Sequence, residues 1–530
     1  MTFQRNHHYR LLLSAFCLSF SPLFSWAATP VIAPPEPQAI ELASGATTVS
    51  ADDAPFRDMV AKVKLDGLRV TASLPRGKVG VGVWPVIWTA IDPAEPDHPA
   101  ARRESFLFVL PHGMTPLGAG VVENAVAANN TAHILEDPSG AVHMVWIGPS
   151  GATYRRARVS PDGTVHFETD PTPLGPHPGN WASLPTLAVA GNTVHFVWQA
   201  DTILYRSLTR DGDTWRWGDE IDTKVASTGR DTGPSLAADS NAVHFLAQSG
   251  IYATSIDGGR TWTTEKVPFG PGYQAKGVSL SLDNKGRPLA AANYVVDGPT
   301  QYSQDQGRGG YWTIRIARRV APGKWEAVPG PVDERPEWAH PTSKNEDVLT
   351  DWIRIMGDPS GGIHMSWHGT AVGRIFGHDR AYYAWRSPNG DWTPPVALRD
   401  PDPDHGYGWS YAPSLALDGE LTLALPFHVM NAGSQARGFD SDLALLRSGK
   451  LIAPLLPVTT FARDSIISGE PRNALSSWFP EIAPTVARDS ETGRVRADIL
   501  VDLAPTSVQA SPIVVWIQKD LTDWIKAAGQ

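Results

Sequence analysis

The feature that most constrains this chain is a recurring hairpin: a short apolar strand, a turn rich in Asp, Asn or Gly, and a second apolar strand. Its copies are centred on His143, His195, His244 and His364, and weaker ones cover residues 278–292, 413–426 and 484–500. The turn residues supply the positive backbone φ that tight hairpins require. Helical periodicity is nearly absent elsewhere, so the pattern predicts an all-β chain.

Most of these hairpins are followed by a third strand that ends in another turn, as at residues 154–163, 204–215 and 382–392. Four-stranded antiparallel sheets repeated at such spacing are typical of a β-propeller. Seven copies predict seven blades, and six blades are the alternative. A ring also removes exposed sheet edges. We expect residues 68–89 to supply strands that close the ring against the last blade.

The N-terminus has the pattern of a secretory signal peptide. Arg5 and Arg10 precede an apolar stretch, and small residues precede Ala28. A membrane anchor is disfavoured because the stretch is short and contains Pro22. We therefore expect an exported protein, periplasmic or secreted.

This pattern also divides the chain. We predict a signal peptide at 1–27, a Pro/Ala-rich flexible lead-in at 28–50 and a single propeller domain at 51–530, closed by N- and C-terminal strands. Cys17 is the only cysteine of the 530 residues. It lies in the predicted signal peptide, so no cysteine-ligated metal or cysteine nucleophile is expected in the mature protein.

Composition narrows the partners. The formal net charge is −10, which argues against nucleic acid held by general electrostatics, and no later apolar run is long enough to span a membrane. The chain has no Gly-rich phosphate loop, no His-Glu-x-x-His and no Gly-x-Ser-x-Gly. Alternating carboxylates at Asp400, Asp402 and Asp404 are compatible with calcium, although two prolines and a missing Glu depart from the usual loop. We expect no other cofactor, and we assign no residue as a metal ligand. The protein is expected to be a monomer.

Residues 255–262 read Ser-Ile-Asp-Gly-Gly-Arg-Thr-Trp. This resembles the Asp box, Ser-x-Asp-x-Gly-x-Thr-Trp, of sialidase-like propellers, and residues 209–215 and 387–392 resemble shortened copies. The resemblance implies that Asp257 caps its own turn and that Trp262 packs between blades, on the face opposite the active site. The Arg-Ile-Pro motif of sialidases is absent. The His-bearing hairpins are similar in texture to propellers that include polysaccharide lyases and a rhamnosidase family.

Chemistry is expected on the face where each blade is entered and where its second and third strands connect. Long loops rich in Arg, His and aromatic residues fall there, as suits an anionic glycan. The candidate catalytic residues are His368, His378, Arg380 and Tyr382. The candidate substrate-binding residues are Arg374, Asp351, Arg230, Tyr273, His405, Tyr407, Trp409 and Arg437. By contrast, the repeated His143, His195, His244 and His364 are interpreted as packing residues.

The predicted function is cleavage of an acidic polysaccharide by an exported enzyme, by β-elimination. A His or Tyr would abstract the proton beside a uronate carboxylate while an Arg neutralises the developing charge. One alternative is a glycoside hydrolase of sialidase or rhamnosidase type that uses carboxylates such as Glu346, Asp351 or Asp379. The other is a non-catalytic propeller that binds glycan or protein.

Overall fold

The structure is a computed structural model. It describes residues 30–529 except 34–37, 76, 121–124, 127–129, 176–182, 228–232, 271–272, 297–310, 333–349, 371–378, 400–406, 433–434, 463, 465–474, 483–486, 489–492 and 506–510. Strands dominate the described residues, and the predicted all-β class is confirmed.

Residues 39–110 form an N-terminal unit outside the ring. Its elements are β1 (Ala39–Glu41), β2 (Thr48–Ser50), α1 (Ala54–Ala61), β3 (Arg69–Ser73), β4 (Lys78–Gly80), β5 (Gly82–Ile91) and β6 (Pro99–Leu110). One sheet has the order β1-β6-β5-β3, and β2 pairs with β4. Phe56 and Met59 of α1 pack with Trp88 into the core of this unit. Two of its strands lie in the stretch that we expected to be a flexible lead-in.

Strand β7 (Met114–Ala119) follows, and in the part of the chain that the structure describes seven sheets come after it, which we call blades 1 to 7. Blade 1 contains β8 (Ile134–Glu136), β9 (Ala141–Gly148), β10 (Gly151–Val159), β11 (Val165–Phe167) and β12 (Thr172–Pro173). Blade 2 contains β13 (Thr186–Ala190), β14 (Thr193–Gln199), β15 (Thr202–Asp211), β16 (Thr214–Trp217) and β17 (Ile221–Ala226). Blade 3 contains β18 (Ser235–Ala238), β19 (Val243–Leu246), β20 (Ile251–Ser255) and β21 (Thr263–Lys266).

Blade 4 contains β22 (Tyr273–Leu282), β23 (Pro288–Val296), β24 (Tyr311–Ala321) and β25 (Lys324–Val328). Blade 5 contains β26 (Thr350–Gly357), β27 (Ile363–Thr370), β28 (Asp379–Arg386) and β29 (Val396–Ala397). Blade 6 contains β30 (Tyr407–Asp418), β31 (Leu421–Ala432), β32 (Gln435–Arg447), β33 (Lys450–Leu451) and β34 (Leu456–Thr459). Blade 7 contains β35 (Leu475–Ile482), β36 (Ala487–Arg488), β37 (Val495–Pro505), β38 (Ile513–Asp520) and β7, and the C-terminal helix α2 (Thr522–Ala528) follows it.

The blades are arranged as a propeller. Contacts between their first strands run from β8 through β13, β18, β22, β26 and β30 to β35, and β37 of blade 7 returns to β8. The second strands β9, β14, β19, β23, β27, β31 and β37 carry the seven hairpins predicted from the repeat. Apolar side chains from facing sheets fill the space between blades, as between blades 4 and 5.

The ring is closed by β7, which pairs antiparallel with β38. An N-terminal strand therefore completes the C-terminal blade, as predicted, but the predicted segment was wrong. Residues 69–73 pair with 87–91 inside the N-terminal unit instead. The Val- and Trp-rich composition of that segment reflects a separate core, since Val86 and Trp88 are fully buried there.

Hydroxyl side chains join the inner strands of neighbouring blades. Ser235 Oγ accepts from Leu280 N at 2.8 Å, and Ser279 Oγ accepts from Ile355 N at 3.1 Å. At the axis, Asn130 is 1% exposed, and its Nδ2 donates to the carbonyls of Gly233 and Val278. Asn130 therefore ties the segment before blade 1 to blades 3 and 4 across the centre of the ring.

The hydrogen bonds expected of residues 255–262 are present. Asp257 accepts from Ser255 Oγ, Thr261 N and Thr261 Oγ1 at 2.6–2.9 Å. Trp262 lies edge-on to Tyr205 of blade 2, with ring centroids 5.3 Å apart. The motif thus stabilises a turn between a third and a fourth strand and the packing between blades 2 and 3.

Candidate active site

In blade 5, the paired ends of β27 and β28 carry three of the four predicted catalytic side chains. His368 lies opposite Ala381, and Tyr382 lies opposite Trp367, while Arg380 pairs with the residue after His368. His368 is 2% exposed, and Arg380 and Tyr382 are half-buried. These are the strand ends where the second-to-third connection begins, so they lie on the face predicted to carry chemistry.

The pleat of the sheet separates these side chains into two groups. Residues directly opposite each other project to the same face, and successive residues alternate. Trp367, Arg380 and Tyr382 therefore project toward blade 4, and the first and last of them join its apolar core. His368 shares its face with Ala381, which packs against blade 6. His368, Arg380 and Tyr382 thus lie at the same end of the blade 5 sheet, but their side chains project to opposite faces of that sheet.

Arg380 and Tyr382 form a compact polar pair beside an aromatic wall. They are two residues apart on one strand, so their Cα atoms lie about 7 Å apart on the same face. The ring of Tyr382 stacks on Trp367, with centroids 5.7 Å apart and an interplanar angle of 23°. Trp367 is 3% exposed, so its ring is held by the core.

A buried charged cluster lies between blades 5 and 6, on the side of the blade 5 sheet to which His368 projects. Asp442 Oδ2 forms an ion pair with Arg399 and lies 3.0 Å from His428 Nε2. Burial, reinforced by the nearby Arg399, holds the pKa of His428 well below its ordinary value. The imidazole is therefore neutral at physiological pH, and its Nε2–H donates to the carboxylate.

A hydrogen bond joins the two blades at this level. Ala381 is the backbone partner of His368, and Ser410 is the backbone partner of His428. Ala381 N donates to Ser410 Oγ at 2.8 Å. His368 and the Arg399–His428–Asp442 cluster therefore belong to one polar region between blades 5 and 6.

The repeated histidines have the structural role that we predicted. The Nδ1 atoms of His143, His195, His244 and His364 lie 2.6–2.8 Å from a tyrosine hydroxyl on the adjacent strand. In blade 1, His143 Nε2 also lies 3.3 Å from Asp137 in the turn before it. Burial opposes ionisation of Asp137, but hydrogen bonds from His143 and Ser139 lower its pKa overall.

These buried histidines make stability depend on pH. Burial lowers the pKa of both His195 and His244 to about 4, so below about pH 6.5 the unfolded chain takes up protons that the folded chain does not. We expect roughly 3 kcal/mol of stability per histidine to be lost between those pH values. Urea unfolding at about pH 7 and about pH 5 should show a smaller acid loss for His195→Gln than for the native chain. Equal losses would contradict this assignment, and exposed His98→Gln is the control.

The other predicted site residues form two sets. His378, Arg374, Arg230, His405 and Glu346 lie outside the described residues. For the second set only the backbone is described. Tyr273 is the first residue of β22, Asp351 is the second residue of β26, and Asp379 is the first residue of β28. Tyr407 and Trp409 lie at the start of β30, and Arg437 lies near the start of β32. The six residues of this second set lie near strand ends on the same face of the ring, as the topology requires.

Sequence reasoning missed Arg399 and Asp442. Asp442 has a detectable signal, because it directly precedes the apolar run Leu-Ala-Leu-Leu at residues 443–446 of the third strand. A charge at such a position requires a partner once it is buried. Arg399 has no such signal, since it follows a short outer strand and reaches Asp442 only through the packing of two blades.

Among the residues that the structure describes, no group of three or more His, Cys, Asp or Glu could hold a metal ion. The carboxylates at Asp400, Asp402 and Asp404 lie outside those residues, so calcium stays a prediction. The described part of the chain also contains no helix of the length and apolarity that a membrane crossing demands.

Comparison with known proteins finds similar solved structures only. No family model and no curated protein matches the chain, so the sialidase-type resemblance has no support of that kind. A PL25 ulvan lyase, solved also with bound -[GlcA(1-4)Rha3S]-, is 14% identical, with 78% of this chain and 99% of that chain covered and TM-scores of 0.45 and 0.46.

Two further structures extend the range of similar proteins. The polysaccharide lyase Uly1 is 11% identical over 74% of this chain and 91% of its own, with a TM-score of 0.42. The α-L-arabinofuranosidase Arb93A from Fusarium graminearum is 12% identical over 63% and 97%, with a TM-score of 0.36. Both lyases and a glycosidase are thus among the similar structures, and the function proposed below rests on this chain's own residues.

Proposed function

We propose that this chain is an exported carbohydrate-active enzyme that cleaves an acidic polysaccharide by β-elimination. The observation that carries the proposal is the pairing of Arg380 and Tyr382 on one face of β28, above the fixed ring of Trp367. A guanidinium recognises a carboxylate, and a phenol transfers protons. Arg380 and Tyr382 are partly exposed and lie at the end of the ring where the second and third strands connect.

The chemistry follows from these roles. Arg380 binds the uronate carboxylate and neutralises the negative charge that develops there. Tyr382, as phenolate, takes the proton from the carbon beside that carboxylate, and the released electrons form a carbon–carbon double bond. The bond to the glycosidic oxygen breaks, and that oxygen takes a proton back from Tyr382. Water is not consumed, and one product is an unsaturated sugar.

His368 is the competing candidate for the base. His368 projects to the face of the blade 5 sheet opposite Arg380 and Tyr382, and it is 2% exposed. This placement favours a structural role for His368 over contact with a polymer. Replacement separates the two assignments: His368→Gln is expected to lose much less of the cleavage rate than Tyr382→Phe. The reverse result would transfer the role of base to His368.

The direct test of this proposal is incubation with a panel of uronate-containing and sialylated glycans, with ultraviolet absorbance and reducing ends measured together. We expect both signals to rise with at least one uronate polymer. New reducing ends without absorbance would indicate hydrolysis by carboxylates such as Asp351 or Asp379, whose backbones flank β27. No signal in either channel would favour a non-catalytic glycan-binding propeller.

Export is part of the same proposal. The pattern of residues 1–27 predicts cleavage before Ala28, so N-terminal sequencing of protein recovered from outside the cytoplasm should begin at that residue. Protein that keeps Met1 and stays in the cytoplasm would contradict export without affecting the chemistry.

A further inference from the structure

A second cavity lies between blades 2 and 3, at the ends of the sheets away from the candidate active site. Its volume is about 580 Å³. Its walls include the turn between β13 and β14 and the turn between β20 and β21. These turns join a first to a second strand and a third to a fourth strand, so they emerge on the opposite side of the ring from Arg380 and Tyr382.

His195 lines this cavity and departs from the pattern of its counterparts. In blades 1 and 5, the Nε2 atom of the repeated histidine is bonded to Asp137 or Asp358 in the preceding turn. The register places Ala190 of blade 2 where Asp137 stands in blade 1. In the described part of the chain, no residue forms a hydrogen bond with His195 Nε2, although His195 is only 6% exposed.

Hydrogen bonding fixes the tautomer of His195. The hydroxyl of Tyr205 donates its single proton to the carbonyl of Gly258, 3.1 Å away. It must therefore accept at its other contact, so the Nδ1–H of His195 donates to it at 2.8 Å. Nε2 then carries a lone pair. Burial lowers the pKa of His195 to about 4, so this acceptor persists at neutral pH.

The remaining walls are rich in further acceptors. Asp219 is exposed and forms no hydrogen bond with the residues described. Asp239 uses Oδ1 to accept from Asn241 N and Ala242 N. Hydrogen bonds from Thr261 and Ser255 lower the pKa of Asp257 to about 2, so it is ionised. Arg260 is the one cation among the described lining residues, and hydroxyl and amide side chains complete the walls.

We propose that this cavity binds a saccharide that carries a free amino group, with the ammonium against His195 Nε2 and the Asp219 carboxylate. An ammonium has three donors and no acceptor, which complements a neutral imidazole lone pair beside carboxylates. Asn192, Thr193 and Asn241 can both donate and accept, as sugar hydroxyls require. A metal ion is disfavoured, because no group of three metal-ligating side chains exists in the residues described.

The test is calorimetric titration of the intact protein with oligomers of glucosamine, at a pH that keeps the amines protonated. We expect the glucosamine oligomer to bind and the fully N-acetylated oligomer to bind at least tenfold more weakly, because acetylation removes the ammonium. Equal binding of both, or binding of neither, would overturn the proposal. Binding of a lysine-rich peptide in preference to the amino sugar would overturn the choice of a saccharide.

Variants locate the site. His195→Gln keeps a polar group of similar size, and Asp219→Asn removes a charge from the surface without a bond to lose. Each is expected to weaken glucosamine binding at least fivefold, while Asp213→Asn, a carboxylate on a neighbouring turn outside the cavity, leaves it unchanged. Unchanged binding in both cavity variants would overturn the assignment. Polysaccharide cleavage is measured separately, and because Tyr382→Phe is expected to slow cleavage and leave glucosamine binding unchanged, failure of either proposal can be recognised independently.

Discussion

Tyr382→Phe is expected to reduce the rate of polysaccharide cleavage by at least about 100-fold, the usual range for loss of a general acid–base group. The substitution removes only the hydroxyl and keeps the ring that stacks on Trp367. Binding of the polymer should therefore change little, so the loss is expected in kcat rather than in KM. Initial rates of absorbance increase at several substrate concentrations measure both quantities.

The next residue along the strand provides a matched control. Tyr383 projects to the opposite face, is fully buried, and places its hydroxyl 2.7 Å from His364 Nδ1. Tyr383→Phe should leave kcat within about twofold and lower the free energy of unfolding by about 1–3 kcal/mol, because a buried hydrogen bond is lost. If Tyr383→Phe abolished cleavage while Tyr382→Phe did not, the assignment of faces at this strand end would be wrong.

Asp442→Ala is expected to have the largest effect on stability. It removes the carboxylate between Arg399 and His428 and leaves a largely buried guanidinium without that partner. Breaking one side of such a pair costs about 3–5 kcal/mol. Urea denaturation measures the loss, and Glu420→Ala, an exposed carboxylate of the same blade, should change stability by less than about 0.5 kcal/mol. A loss below about 1 kcal/mol for Asp442→Ala would show that the cluster is solvated rather than buried.

The repeat predicted the fold well because each hairpin is local. A Val-His second strand after a Gly or Asn turn specifies its own pairing, and the structural role of His143 follows from its recurrence. The closing segment was harder, since β7 and residues 68–89 have similar apolar composition and only tertiary pairing with β38 distinguishes them. The local sequence pattern therefore predicts where strands form, whereas the pairing of strands distant in sequence depends on tertiary contacts.

The candidate site was predicted less completely. Arg380 and Tyr382 could be selected because they lie in a connection rich in Arg, His and aromatic residues, on the face predicted to carry chemistry. The separation of His368 from them depends on pairing register, and a shift of one residue would reverse it. The Arg399–Asp442 contact depends on packing between two blades, which periodicity in a single sequence does not reveal.

The most direct test of the central claim uses water labelled with heavy oxygen. The enzyme digests, in labelled water, a polysaccharide on which it produces new reducing ends. The masses of the products are then determined. Elimination predicts fragments without label, one of which lacks the mass of a water molecule and absorbs in the ultraviolet. Incorporation of one labelled oxygen per bond cleaved would show hydrolysis and contradict the account.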